Sequence, residues 1–380
     1  MKELREKIDQ IDSEIIRLFE ERMNVVNDVA DFKKANNIPI LDSKRETEKL
    51  QDVSEKVKNK ELEPHAHILF ETLFELSRSH QHSKNRETSE QFKEVQFAIE
   101  NTDKLFPQSA TIACQGTEGA FSQLATQKMF KRPNIHYVNT FEGVFKTIEG
   151  GFCDYGVLPL ENSTAGSVTK IYNLMQSHNF KIVKSIRIKV DHTLAAPKGV
   201  KIEDVKEIFS HEQALSQCAT FLEQLGADVK ITECENTAVA AELVANSGRK
   251  DAAAICSQNC IKLYGLNSLA RDIQDRSNNY TRFICISKKL EIYPGADRTS
   301  IMLVLPHVPG ALYKVLSKFY AMGINLQKLE SRPLPDRDFE FMFYFDLETS
   351  IYSTEFAKLL DGLQEFCDEF KYLGSYIEVV

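Results

Sequence analysis

No stretch of this chain approaches the ~20 consecutive apolar residues that a membrane-spanning helix needs, and its first ten residues, MKELREKIDQ, form no apolar leader. Neither a membrane span nor secretion is expected, and the expected location is cytoplasmic. An excess of positive charge is also missing. The 47 Lys and Arg against 55 Asp and Glu leave a formal net charge of −8, so a general nucleic-acid or anionic-membrane surface is not expected, although a local basic pocket is compatible with it. The GxGxxG spacing of a dinucleotide fingerprint does not occur after the early strands, and neither does a lysine-ended phosphate loop. Eight cysteines are scattered at 114, 153, 218, 234, 256, 260, 285 and 367. Cys256 and Cys260 lack the spacing and partners of a zinc knuckle, so the thiols read as reduced core residues. No metal or other cofactor is expected.

The 380 residues, 42% of them hydrophobic, exceed one ordinary core and imply two to four domains. Residues 1–35 carry a helical apolar stripe of Leu4, Ile8, Ile11, Ile15 and Leu18, continued by Val25, Val26, Val29 and Phe32. A second helix is expected from Ser43 to Lys60 and a third from Glu63 or Pro64. Three helices make too thin a layer to bury their own stripes, so this block, residues 1–85, is expected to dimerise. Residues 86–108 read as a linker with a short helix near Phe92–Ile99. From 109 to 288, strands such as ATIAC, YGVLPL and TRFICIS alternate with helices, the pattern of parallel sheets covered on both faces. Residues 289–298 form a connector. Residues 299–380 follow a β-α-β-β-α-β order, the split βαβ or ferredoxin-like pattern. The expected fold class is thus multidomain: all-α, then α/β, then α+β.

Three groups of polar residues stand on this frame. On the first helix, Arg22 and Lys33 differ by about 20° in direction and about 16 Å in rise, so both can close on one small ligand. Arg5 lies about 26 Å from Arg22 along the axis and reaches the same ligand only if the chain folds back or a second copy supplies it. Asp42, Arg45 and Glu46, and likewise Ser77 and Gln81, have the spacings that place side chains on one helical face. In the α/β region, CQGTEGAFSQLA offers Gly116 and Gly119 for tight turns, and LPLENSTAGSV puts Glu161, Asn162, Ser163 and Thr164 directly after a strand. Ser210, His211, Glu212 and Gln213 form another loop cluster, and Thr281 and Arg282 open the returning strand. Loop residues of this kind collect in edge pockets of α/β sheets. In the last region, Gly310 permits close backbone approach at a helix start.

The segments LREKIDQID, EER, DFKK, DSKRETEK and ELSRSHQ resemble the helical chorismate mutase domain of bifunctional bacterial enzymes. QGTEGAFS, LPLENSTAGSV, SHEQALSQC and NNYTRF resemble prephenate dehydratases, with Thr117 standing where a proline is more usual. PGALYKVL and LESRP resemble the phenylalanine-sensing ACT domain. This resemblance implies that Arg5, Arg22, Asp42, Arg45 and Ser77 bind chorismate, with Lys33, Gln81 and Glu46 catalysing its rearrangement to prephenate. It implies a two-lobed dehydratase in which Thr281 is the catalytic hydroxyl and Asn162, Ser163, Thr164, Gln213 and Arg282 bind prephenate on its way to phenylpyruvate. Glu161 is either a participant or a structural ion-pair partner. Gly310, Ala311, Leu312, Glu330, Ser331 and Arg332 would mark a phenylalanine-binding region or its support, giving feedback inhibition. The implied assembly is a helix-swapped homodimer, able to form higher oligomers. The competing reading is a non-catalytic small-molecule sensor with a two-lobed α/β binding domain.

Overall fold

The computed structural model describes residues 1–84, 89–334, 337 and 340–380. Residues 85–88, in the expected linker region and its approach, lie outside the described residues. The chain divides into two compact units, residues 1–92 with 358–366 and residues 93–357 with 367–380.

The first unit is built from helices α1 (Lys2–Ala35), α2 (Ser43–Lys56) and α3 (Glu63–Lys84). Asp42 caps α2, its Oδ1 accepting from the Arg45 amide at 3.0 Å, which satisfies one of the amides that a helix start leaves free. The helix ends at Lys56 rather than at the expected Lys60. Asn59 there accepts the Glu61 amide at 3.1 Å and opens a short 3₁₀ turn, Lys60–Leu62. An Asn side chain that competes for backbone amides stops a helix in this way. Of the α1 stripe only Val26 is buried, with Ala30 beside it, while Leu4, Ile8, Ile11 and Ile15 remain 55–61% exposed.

After α4 (Glu90–Asn101) the second unit alternates. β1 (Ser109–Gln115), α5 (Phe121–Met129), β2 (Arg132–Val138), α6 (Phe141–Glu149) and β3 (Tyr155–Asn162) come first. The short β4 (Gly166–Ser167), α7 (Thr169–Ser177) and β5 (Lys181–Lys189) complete one lobe's outward path. The second lobe comprises β6 (Thr193–Ala196), β7 (Glu207–Ser210), α8 (Glu212–Gln217), α9 (Ala219–Leu225) and β8 (Lys230–Glu233). It continues with α10 (Thr237–Asn246), β9 (Ala252–Cys256), α11 (Gln258–Tyr264) and β10 (Asn267–Arg271). The chain then returns to the first lobe as β11 (Tyr280–Ser287). Two segments therefore cross between the lobes, 190–192 and 272–279. They run side by side, with the Val190 amide donating to Asn279 O at 2.8 Å and the Ile273 amide to His192 O at 3.1 Å.

The small sheet has the order β10-β6-β9-β7-β8. Neither sheet is purely parallel as expected. β1 pairs parallel with β2 and β3, and β7 with β8 and β9, but β11 lies antiparallel between β3 and β5, and β6 is antiparallel to β9 and β10. The crossovers are the reason. β3 and β5 both run toward the cleft, and a strand arriving from the other lobe starts at the cleft and runs away from it.

The final region contains β12 (Arg298–Val304), α12 (Ala311–Ala321), β13 (Asn325–Pro333), β14 (Phe341–Glu348), α13 (Thr354–Phe366) and β15 (Glu369–Val379). Its strands follow the order β13-β14-β12-β15, the ferredoxin-like arrangement. β15 then continues into the first lobe, where Ile377–Val379 pair parallel with Lys184–Ile186 of β5, joining the strands into one ten-stranded sheet. Gly374, with φ +141°, lies opposite Ser300 at a bulge in the β12–β15 pairing, just before β15 passes to β5 after Tyr376, and any Cβ there would collide with the Ile182 carbonyl. All eight cysteines are free thiols, and Cys114, Cys153, Cys218, Cys256, Cys260 and Cys285 are buried.

Candidate active sites

A cavity of about 290 Å³ opens among α1, α2 and α3. Its walls carry Arg22, Lys33, Asp42, Arg45, Glu46, Ser77 and Gln81, every residue expected there except Arg5. Arg22 Nη1 donates to Ser77 Oγ at 2.5 Å and to Leu73 O at 3.3 Å, fixing the guanidinium against α3. Burial pushes its pKa below the ordinary value, the expected effect of removing a cation from water. Lys33 Nζ donates to Ile40 O at 2.6 Å, tying the last turn of α1 to the loop before α2. Gln81 is 6% exposed and its Oε1 has no partner. Two further cations, Lys49 and Arg78, line the same cavity, and Arg78 forms an ion pair with Glu46. Sequence reasoning missed both, although Lys49 lies one turn from Arg45 and Arg78 directly follows Ser77. Val26, Ile40, Phe70 and Phe74 supply an apolar floor, where fixed charges act at lower local dielectric than in water.

The second cavity, about 560 Å³, lies where the two lobes meet, and Asn162, Gln213 and Thr281 line it. Its polar network has one consistent direction. The amides of Thr164 and Ala165 both donate to Asn162 Oδ1, each at 2.9 Å, which fixes which end of that carboxamide is oxygen. Asn162 Nδ2 must then donate, and it does so to Asn279 Oδ1 at 2.8 Å and Thr281 Oγ1 at 2.9 Å. Asn279 Nδ2 in turn donates to Gln217 Oε1 at 2.9 Å. Gln217 Nε2 donates to Thr164 Oγ1 at 2.9 Å, whose hydroxyl returns to Asn162 Oδ1 at 2.7 Å. Thr281 Oγ1 is thus an acceptor inside the protein, and its own hydrogen is left for a ligand.

His192 also lines this cleft and is 2% exposed. It sits on the first crossover, directly before β6. Its Nε2 lies 2.9 Å from Gln217 Oε1. Burial lowers its pKa, while the Gln217 contact and the charge of Asp191 act in the opposite direction. His192 and Gln217 were not expected on sequence grounds, and Asn279 was expected only to cap the approach to the Thr281 strand. The one available signal was for Gln217, four residues beyond Gln213 on the same short helix.

Other expected residues lie beside the cleft. Ser163 Oγ donates to Asn278 O at 2.8 Å and accepts the Tyr280 amide at 2.9 Å, latching the loop after β3 to the second crossover. Arg282, expected at the substrate, instead points to the opposite face of β11. It is 5% exposed and meets Glu161 at 3.2 Å, Glu378 at 2.9 Å, the Tyr376 hydroxyl at 2.8 Å, and Asp346. Burial alone would depress its pKa, but the surrounding acidic and phenolic groups carry it above the ordinary value. Glu161 is held from both sides, by Arg282 and by Lys328 Nζ at 2.5 Å, the arrangement of an ion-pair partner.

In the last region Gly310 has φ +82° and precedes α12, whose first residue, Ala311, is buried and whose second, Leu312, is partly buried. Along β13 the exposure alternates. Lys328, Glu330 and Arg332 are partly buried, whereas Ser331 is exposed. Glu330 accepts from Ser167 Oγ at 2.8 Å, and Lys328 Nζ also donates to Ser167 Oγ at 2.8 Å. Ser167 itself lines the 560 Å³ cleft.

A helical pocket of fixed cations, an inter-lobe cleft with oriented hydroxyl and amide donors, and an attached α+β domain define a two-site enzyme of small anionic metabolites. A family model described as chorismate mutase type II matches residues 4–82, and one described as prephenate dehydratase matches residues 112–291. The bifunctional chorismate mutase/prephenate dehydratase of Aquifex aeolicus (strain VF5) is 34% identical over 99% of this chain and 97% of its own length. Arogenate dehydratase/prephenate dehydratase 2, chloroplastic, of Arabidopsis thaliana is 39% identical over 70% of this chain and 72% of its own. The solved structure of a prephenate dehydratase in complex with L-Phe from Arthrobacter aurescens is 28% identical, covers 70% of this chain and 89% of that one, and superposes with a TM-score of 0.64. The chain belongs to the bifunctional chorismate mutase/prephenate dehydratase family.

Proposed function

We propose that the two cavities act in sequence on one carbon skeleton, the helical pocket rearranging chorismate to prephenate and the inter-lobe cleft converting prephenate to phenylpyruvate. The observation that carries this reading is the meeting, in one 290 Å³ cavity, of nine polar residues from three helices and the cap of α2, drawn from positions 22 to 81. In this reading residues 1–85 form the mutase, 109–288 the dehydratase and 299–380 an ACT-like regulatory domain. Arg22 and Arg45 hold the chorismate carboxylates, as bidentate guanidinium geometry favours. Lys33 and Gln81 donate to the ether oxygen as its bond to carbon breaks, and Glu46, paired with Arg78, orients the ring hydroxyl with Asp42. The rearrangement is intramolecular, so catalysis comes from holding the reactive conformer and stabilising charge on oxygen. In the cleft, Thr281 donates its free O–H to the leaving hydroxyl, and Asn162, Thr164 and Gln213 fix the surrounding donors. Ser163 and Arg282 support this wall from behind.

The bare stripe on α1 supports a homodimer in which a second copy covers it and brings Arg5 to the pocket. The Ser167 junction with Lys328 and Glu330 supports feedback by phenylalanine, because it joins the cleft wall to the C-terminal sheet through a few hydrogen bonds that two states can make or break. The test is a two-step assay of the purified chain supplied with chorismate. Lys33→Ala is expected to lower prephenate formation by roughly 10²–10³-fold and leave phenylpyruvate formation from added prephenate intact. Thr281→Ala is expected to do the reverse, and phenylalanine to slow the second step of the wild type. Equal loss of both steps in either folded variant rejects separate sites.

A further inference from the structure

The substrate assigned to the inter-lobe cleft carries two carboxylates, yet no Lys or Arg lines that cleft among the described residues. The wall's titratable groups are His192, His211 and Glu235. His211 is committed to the fold, since its Nδ1 accepts the Gln213 amide at 3.2 Å and caps α8. His192 is not committed in this way. The network's direction makes Gln217 Oε1 an acceptor, so His192 Nε2 must be the donor across their 2.9 Å contact. The remaining nitrogen, Nδ1, is buried and has no hydrogen-bond partner. A buried polar atom without a partner is costly, and a ligand that supplies one recovers that cost.

We propose that His192 is the proton carrier of the dehydration, taking up a proton as the prephenate dianion enters and delivering it from Nδ1 to the departing ring hydroxyl. This rests on the reading of the cleft as the dehydratase site. In the step, the ring carbon–hydroxyl bond breaks with its electron pair on oxygen, which takes the Nδ1 proton and leaves as water. The bond from the ring to its carboxylate breaks in concert, its pair completes the aromatic ring, and carbon dioxide departs. Prephenate dianion and one proton thus become phenylpyruvate anion, carbon dioxide and water, and His192 is left neutral with its Nε2 hydrogen still on Gln217.

The charges around the ring decide the direction of the proton shift. Asp191, on the same crossover, is paired with Lys189 Nζ at 2.8 Å and receives Gln274 Nε2 at 3.0 Å. Glu235 and His211 face the cleft, and Phe121 packs edge-on against the imidazole with ring centroids 6.4 Å apart. Glu212, Asp275 and Arg276 line the adjoining cavity, whose wall Gln217 shares. Burial pushes the His192 pKa below its ordinary value and so favours the neutral imidazole. A dianion within this enclosed space favours the imidazolium, so binding raises the His192 pKa and draws one proton from solvent.

The experiment uses the full chain and His192→Gln, whose carboxamide can keep the contact with Gln217 but carries no proton to the cleft. Dehydration by the variant is expected to fall by roughly 10²–10⁴-fold in kcat, while the mutase rate, which depends on the other pocket, stays unchanged and an unchanged denaturant midpoint reports an intact fold. Binding of a ring-saturated prephenate analogue, followed by calorimetry in two buffers of different ionisation enthalpy, is expected to show uptake of close to one proton near pH 8 by the wild type and none by the variant. The wild-type kcat/KM is expected to fall with rising pH, and the variant's to be flat over that range. A variant with unchanged kcat overturns the proposal. A variant that loses rate while the wild type takes up no proton also overturns it, leaving His192 a structural residue. If Thr281→Ala dehydrates normally as well, the assignment of the cleft itself fails, a separate outcome.

Discussion

Thr281 and Arg282 are consecutive on β11, and the two-residue period of a strand sends their side chains to opposite faces. Thr281 faces the cleft and accepts a hydrogen bond from Asn162 Nδ2. Arg282 faces a buried cage of Glu161, Asp346 and Glu378. Removing this guanidinium leaves the buried Asp346 without a cation and takes one of two cationic partners from Glu161 and from Glu378, which keep Lys328 and Arg187. Arg282→Met is therefore expected to cost about 3–5 kcal/mol of stability, read from a denaturant midpoint, with little change in KM for prephenate while the protein is folded. A large rise in KM at unchanged stability would place the guanidinium at the substrate instead. At this scale, types of residue are legible in the sequence but directions are not. NNYTRF marks a site, and only the pairing of β11 with β3 and β5 decides which of its residues looks into it.

At the scale of elements, the helices of the first unit were legible because their apolar period and the Asp42 cap act locally. The mixed sheets were not, since strand direction is set by where the chain re-enters after building the second lobe. Gly374 shows how such a join is made. β15 leaves its partner β12 and continues beside β5, and the backbones approach so closely that only a hydrogen fits. Its positive φ also lies where L-residues are rarely found. Gly374→Ala is expected to cost about 1–3 kcal/mol, visible as a lower denaturant midpoint. Because the join carries the C-terminal sheet into the dehydratase lobe, the variant is also expected to weaken inhibition by phenylalanine more than it slows dehydration. Undiminished inhibition at reduced stability would separate the join from regulation.

For the whole molecule, the proposed homodimer has a second copy cover the exposed face of α1 and supply the Arg5 that does not line its own chain's pocket. Arg5→Ala and Arg22→Ala variants are each expected to lose mutase activity. Mixed under conditions of subunit exchange, they are expected to regain about one quarter of the wild-type sites, because half of the dimers are mixed and each restores one of two sites. No recovery after proven exchange excludes sharing of Arg5 between copies.

The sequence by itself determined which chemistry was available: cations and carboxylates at helical spacing in residues 1–85, and hydroxyls and amides after strands in the α/β region. Local periodicity and capping write those features into consecutive residues. Only the tertiary structure decided that Arg282 serves the interior, that the crossovers bring His192 and Asn279 to the same glutamine, and that two backbone amides orient the whole cleft network. The Arg282 and glutamine contacts join residues 25 to 121 positions apart, and the two local amides orient a network that spans 119 positions, so this geometry exists only once the strands have paired.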